Sequence, residues 1–162
     1  MAGCRIPMMI RRIQVFLSWL VFAGWVVGVT WLSALPASAF PRFRIPFAHF
    51  DKVVHWMIFF PGAMALLLAL RVTWPQTKRR HLVVITFLLL SVFGVANEWQ
   101  QLWTPGRTGG SWGDIAANTV GVASGCGLFL LLDQLWCRLR GLLRGLRSPA
   151  DKPPPRDRSQ AG

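Results

Sequence analysis

Four apolar runs of bilayer length constrain this chain more than any other feature. Ile13 to Leu35 is almost uninterrupted, and at about 1.5 Å of rise per residue a helix of that length exceeds the roughly 30 Å hydrocarbon thickness of a membrane. Val53 to Leu70, Leu82 to Ala96 and Ile115 to Leu132 follow. The third is short. Its uncharged core of about 15 residues covers only about 22 Å, so the helix is expected to continue through Asn97, Glu98 and Gln101. A hydrophobic fraction of 53% against 15% charged residues agrees with a membrane protein. The fold class predicted is an all-α bundle of four transmembrane helices. The transmembrane domain covers 13–136, with spans near 13–35, 53–71, 81–102 and 114–136. It is flanked by an N-terminal segment, 1–12, and a basic tail, 137–162, whose last stretch "DKPPPRDRSQAG" reads as disordered.

The net charge of +12 would suit a nucleic-acid binder if it were gathered on one face. Instead the charges flank the apolar runs. Of the 18 Lys and Arg, fourteen lie before the first run, between the second and third, or after the fourth. Only Arg42, Arg44, Lys52 and Arg107 lie on the alternate side. The positive-inside rule then predicts both termini in the cytoplasm, with the loops after the first and third spans facing outward. Charge here is a topology signal, and no nucleic-acid partner is expected.

Ala37-Ser38-Ala39 resembles a signal-peptidase site, but the preceding run is longer than the 7 to 15 residues or so of a signal h-region, so an uncleaved anchor is expected. Cys4, Cys126 and Cys137 have neither disulfide nor zinc-site spacing and are read as thiols. After the fourth run, "CRLRGLLRGLR" gathers Leu139, Leu142, Leu143 and Leu146 on one helical face, with Arg138, Arg140, Arg144 and Arg147 off it. This predicts a short amphipathic helix on the inner leaflet, attracted to anionic lipid.

Polar residues interrupt the runs at one end. Asp51 and His55 are four apart, Glu98 and Gln101 three apart, Asp114 and Asn118 four apart, and such spacings share a helix face. Given the topology, all three faces lie at the outer end of the bundle. Asp114, Asn118, Gly121 and Gly125 fall on one stripe of the fourth helix, where small residues permit close helix approach. On the third, Ser91, Gly94, Glu98 and Gln101 cluster, with Trp99 and Trp103 turned elsewhere. Ionisable groups within a span are costly and usually face a bundle interior, so a functional site is the natural hypothesis.

These residues resemble the VanZ-like family. The matching letters are Asp51, Lys52 and His55 in "DKVVH", Glu98 and Gln101 in "NEWQQ", the "PGR" of Pro105, Gly106 and Arg107, and Asp114, Asn118 and Gly121 in "DIAANTVG". The resemblance covers residues 50 to 130 or so, about half the chain. It implies a small polytopic protein of the bacterial envelope, in a family named after a member linked to resistance to the glycopeptide teicoplanin. Asn97 stands where the family often carries Asp, which argues against a mechanism needing adjacent carboxylates there.

The candidate catalytic residues are Asp51, His55 and Glu98, and the candidate binding residues are Gln101, Arg107, Asp114 and Asn118. Asp51 and His55 offer a carboxylate-oriented base, or a helix cap beside an interfacial histidine. Glu98 offers a general acid or proton carrier, or a structural partner of Arg107 or Asn118. Arg107, in a glycine-rich turn lacking the P-loop ending, offers a clamp for phosphate or carboxylate, or simply a re-entry turn. Asp114 and Asn118 with Asp51, Glu98 and His55 form a donor set suited to Mg, Mn or Zn; interhelical hydrogen bonding is the reading adopted, and no metal or cofactor is assigned. Pro61 is expected to kink the second span beneath His55, and His49 and His81 are read as interfacial. Three functions compete: an enzyme acting on an anionic lipid-linked or cell-wall molecule, a non-catalytic binding component, and a small proton-coupled transporter.

Overall fold

The computed structural model describes residues 8–39, 49–107 and 109–146. Cys4, Arg42, Arg44, Arg147 and the tail read as disordered lie outside them. The described residues form α1 (Met8–Ala34), a 3₁₀ turn (Ala37–Ala39), α2 (Phe50–Thr73), α3 (Arg79–Leu102) and α4 (Trp112–Leu146), with no strand among them. All four α-helices are long and apolar enough to cross a membrane. As the length argument required, α3 runs through Asn97, Glu98 and Gln101. Two compact units divide at Leu130, and α4 contributes to both.

Side-chain contacts fix the packing in the first unit. Trp19 Nε1 donates at 2.9 Å to Oγ1 of Thr73, the last residue of α2, and Trp25 Nε1, further along α1, donates at 2.9 Å to the carbonyl of Ile58, nearer the start of α2, so α1 and α2 are antiparallel. The Trp25 ring lies against Gly62, one residue past Pro61, through which α2 continues as helix. This aromatic wedge extends through Phe59 and Phe93, which pack on each other and on Trp25 with centroids 5.6–6.0 Å apart.

Glycines set the α2–α4 spacing. A Cβ on Gly121 would sit 2.6 Å from the Trp56 carbonyl oxygen, and one on Gly125 would sit 2.5 Å from that of Phe60. Residues 56 and 60 therefore face 121 and 125 in the same order, which makes α2 and α4 parallel. The small-residue stripe of α4 is buried, as its spacing predicted, while Trp99 and Trp103 are exposed.

Two local devices shape the connections at one end. Thr104-Pro105-Gly106-Arg107 is a turn in which the Arg107 N–H donates to the Thr104 carbonyl at 3.1 Å; Gly106, at φ +73°, takes the left-handed position that follows proline in a type II turn. The Pro105 carbonyl accepts from Ala37 N–H, which ties Ala37-Ser38-Ala39 to this loop. Ser111 precedes α4, and its Oγ accepts from Asp114 N–H at 3.4 Å, the arrangement of a serine N-cap.

In the second unit α4 remains helical through "CRLRGLLRGL", and the Arg140 guanidinium lies 4.7 Å from the Trp136 ring centroid. The basic segment continues the fourth helix, where a separate short helix was expected.

Candidate functional site: a buried polar cluster at one end of the bundle

Alternating helix directions bring the C-terminal ends of α1 and α3 to the N-terminal ends of α2 and α4. Glu98, His55 and Asn118 then sit at similar depths, four to six residues inside their helices, or about 6–9 Å from the helix ends. They meet. His55 Nδ1 is 3.0 Å from Asn118 Oδ1 and 3.6 Å from Glu98 Oε1. With the ring neutral, donation from Nδ1–H to the Asn118 carbonyl oxygen leaves Nε2 as an acceptor.

Among the described residues Glu98 is the most confined acid, with a relative exposure of 1%, while Asn118 is 0% and Asp114 7% exposed. Neither Glu98 oxygen nor Asn118 Nδ2 finds a partner at hydrogen-bonding geometry. The groups facing Glu98 are the His55 ring, the Asp114 carboxylate and the backbone N–H groups of Ser111 and Gly110. That loop is held close by Gly109, whose Cβ, were there one, would stand 2.5 Å from the Leu102 nitrogen and 2.8 Å from the Glu98 carbonyl oxygen. Gly110, at φ +78°, continues the turn. The glycine run thus aims amides at Glu98.

The remaining residues fall at different places. Asp114 accepts from Lys52 Nζ at 3.2 Å, and the same ammonium reaches Asp51 at 3.0 Å. Asp51 is exposed and is occupied by this lysine; the carboxylate facing His55 is Glu98. Nor does Asp51 cap α2. His49 holds that position at φ 66°, without a side-chain cap. His49 and His81 are exposed, as an interfacial reading expects.

Arg107 donates through Nε to the Leu35 carbonyl at 3.2 Å and through a terminal nitrogen to the Leu32 carbonyl at 2.8 Å. The last carbonyls of a helix lack intrahelical donors, so this guanidinium closes the C-terminal end of α1 and complements its dipole. Of the structural partners expected for Glu98, Arg107 bonds carbonyls of α1 and Asn118 bonds His55, while the side chain nearest Glu98 across the helices is His55.

Beside the cluster lies a cavity of about 190 Å³, walled by Val29, Leu32, Val54, Ile58 and Phe59 and carrying Ser33, His55, Asn97, Gln101 and Arg107. His55 is common to cluster and cavity. Lys52, Asn97 and Ser33, with the backbone amides of Gly110 and Ser111, were not among the site residues expected from the sequence. The available signal for Lys52 was Asp114, an opposite charge at the head of a neighbouring parallel helix. Asn97 shares its face with Gln101, at the i,i+4 spacing that marked the other pairs.

One further grouping bears on ions. One ligand atom from each of His55, Glu98 and Asp114 lies within 4.8 Å of the other two.

The fold and this cluster define an α-helical protein built for multiple membrane crossings, with polar side chains gathered at one end of its helices. No protein-family model, curated protein or solved structure matches the chain.

Proposed function

We propose that this chain is a VanZ-like multi-pass protein of the bacterial inner membrane, with both termini in the cytoplasm. Its polar pocket opens at the outer leaflet and receives an anionic lipid-linked or cell-wall-related molecule. The observation that carries this reading is the cavity of about 190 Å³ in which His55, Asn97, Gln101 and Arg107 stand on an otherwise apolar wall beside buried Glu98. A few convergent polar groups on an apolar surface characterise ligand sites. Pockets for drug-sized ligands run from about 300 to 1,000 Å³, so this cavity suits part of a headgroup or chain, with the rest of the molecule left in the bilayer.

The ordered resemblance of "DKVVH", "NEWQQ", "PGR" and "DIAANTVG" to the VanZ-like pattern supports the assignment, and the distribution of Lys and Arg supports the orientation. The basic sequence that follows the fourth apolar run contributes a contact with anionic inner-leaflet lipid. In an acid–base role, His55 Nε2 would accept a proton while Asn118 orients the ring, with Glu98 as the neighbouring carboxyl.

The test is to incubate the protein in lipid nanodiscs with lipid-linked cell-wall precursors and measure binding and turnover. Wild type should retain precursor above empty nanodiscs, and Glu98→Gln and His55→Ala should lose it while accumulating normally. Turnover in wild type alone identifies an enzyme; retention without turnover identifies the binding component. Wild-type retention equal to that of empty nanodiscs refutes the proposal.

A further inference from the structure

We infer that His55, Glu98 and Asp114 form a binding site for one divalent first-row metal ion, Zn²⁺ or Mn²⁺, with the Asn118 carbonyl oxygen as a neutral fourth donor. The inference does not depend on the identity of any lipid-linked ligand.

Glu98 points to it first. Its carboxyl is 1% exposed among helices, and neither oxygen has a hydrogen-bond partner. Ionised, it is a buried anion that faces the His55 ring and two backbone amides without completing a hydrogen bond, and beside a second carboxylate; protonated, it is a buried donor without a completed hydrogen bond. A cation between Glu98 and its neighbours resolves the ionised case directly.

The spacing is of the right order. Metal–ligand bonds of about 2.1 Å in a tetrahedral site put donor atoms about 3.4 Å apart. His55 Nδ1 lies 3.6 Å from Glu98 Oε1 and 3.0 Å from Asn118 Oδ1, and the three titratable ligands all fall within 4.8 Å. The ion takes the place of the Nδ1 proton that His55 shares with Asn118 in its absence, so the bound ring carries its hydrogen on Nε2. The two His55 contacts need little movement, and the separations to Asp114, which lie within 4.8 Å, must contract by up to about 1.4 Å, within the reach of side-chain rotation.

Chemistry narrows the ion. One imidazole with carboxylate and amide oxygens is a mixed set, favouring Zn²⁺ or Mn²⁺ over thiolate-seeking ions and over Ca²⁺ in an all-oxygen shell. Lys52 already engages Asp114 through Oδ1 at 3.2 Å, so the metal shares that carboxylate with the lysine or displaces it. Two carboxylates then bring the site to near neutrality with a divalent ion, and the ion supplies positive charge beside the cavity that His55 lines.

The experiment uses full-length protein in nanodiscs, stripped with EDTA, titrated separately with Zn²⁺ and Mn²⁺, desalted and analysed for metal content. Glu98→Gln and Asp114→Asn are the variants, because each removes a charge while keeping shape, and chromatographic monodispersity reports their folding. His81→Ala is the control: it lies about 25 Å along α3 from Glu98. We expect one tightly held ion per chain in wild type and His81→Ala, at least tenfold weaker binding in both site variants, and a metal-induced rise in thermal midpoint that both variants lose. Less than a tenth of an equivalent in wild type overturns the inference. So does equal metal content in wild type and a folded site variant, which marks adventitious binding only.

Discussion

Replacing Gly121 with alanine tests the helix contact on which the cluster rests. The added Cβ would meet the Trp56 carbonyl oxygen at 2.6 Å and the Phe59 Cβ at 3.1 Å, whereas ordinary contact begins near 3.4 Å. The first neighbour is backbone, which cannot swing aside, so α2 and α4 must part by about 0.8 Å at this level. Carried to the neighbouring turn, that shift lengthens the 3.0 Å His55–Asn118 contact beyond hydrogen-bonding range. Overpacking of this kind costs about 1–3 kcal/mol, offset by the roughly 0.5–1 kcal/mol that alanine gains over glycine within a helix. The net loss, up to about 2.5 kcal/mol, corresponds to a thermal midpoint lower by up to roughly 10 °C for a chain of this size. The assay is thermal unfolding in detergent, with Gly127→Ala as the control because a Cβ there meets nothing within 4 Å. Gly127→Ala should match or exceed wild type. Equal midpoints for the two variants would refute the close approach of α2 and α4.

Three other substitutions probe separate supports. Arg107→Gln removes donors from the Leu32 and Leu35 carbonyls and should cost about 1–3 kcal/mol in thermal unfolding while raising proteolysis near residues 35–39. Unchanged stability would show that the guanidinium does not close α1. Lys52→Met should destabilise by leaving Asp114 unpaired, and adding Asp114→Asn should recover most of the loss; simple addition of the two losses would contradict the ion pair. Gly109→Ala should push the 109–111 loop off α3, increasing labelling of a cysteine introduced at Ser111; labelling equal to that of the parent would argue against the tight seat of this glycine.

Much of the fold was legible because membrane spans obey a simple length and composition rule, and because helix faces follow from spacing. The extension of α3 to Leu102 came from arithmetic on bilayer thickness. The buried stripe of Asp114, Asn118, Gly121 and Gly125 came from residues four apart. Pairing was less legible. Sequence spacing placed Asp51 and His55 on one face, but a helix offers each side chain several neighbours, and the Lys52 ammonium took Asp51 outward. Similarly, glycines before Arg107 and after it suggested an anion clamp, whereas the turn at Gly106 carries the guanidinium back to α1. Local periodicity reports which way a residue points; the partner across the gap depends on crossings that no single helix encodes.

The most direct test of the central claim is a double-mutant cycle between His55→Ala and Asn118→Ala, read by thermal or denaturant unfolding in detergent. Contact across α2 and α4 predicts a coupling energy of about 0.6 kcal/mol, the average for interhelical hydrogen bonds in membrane proteins, and of at most about 1.7 kcal/mol. Losses that add to within about 0.3 kcal/mol would mean that the two side chains do not touch, and the polar cluster would not exist as described.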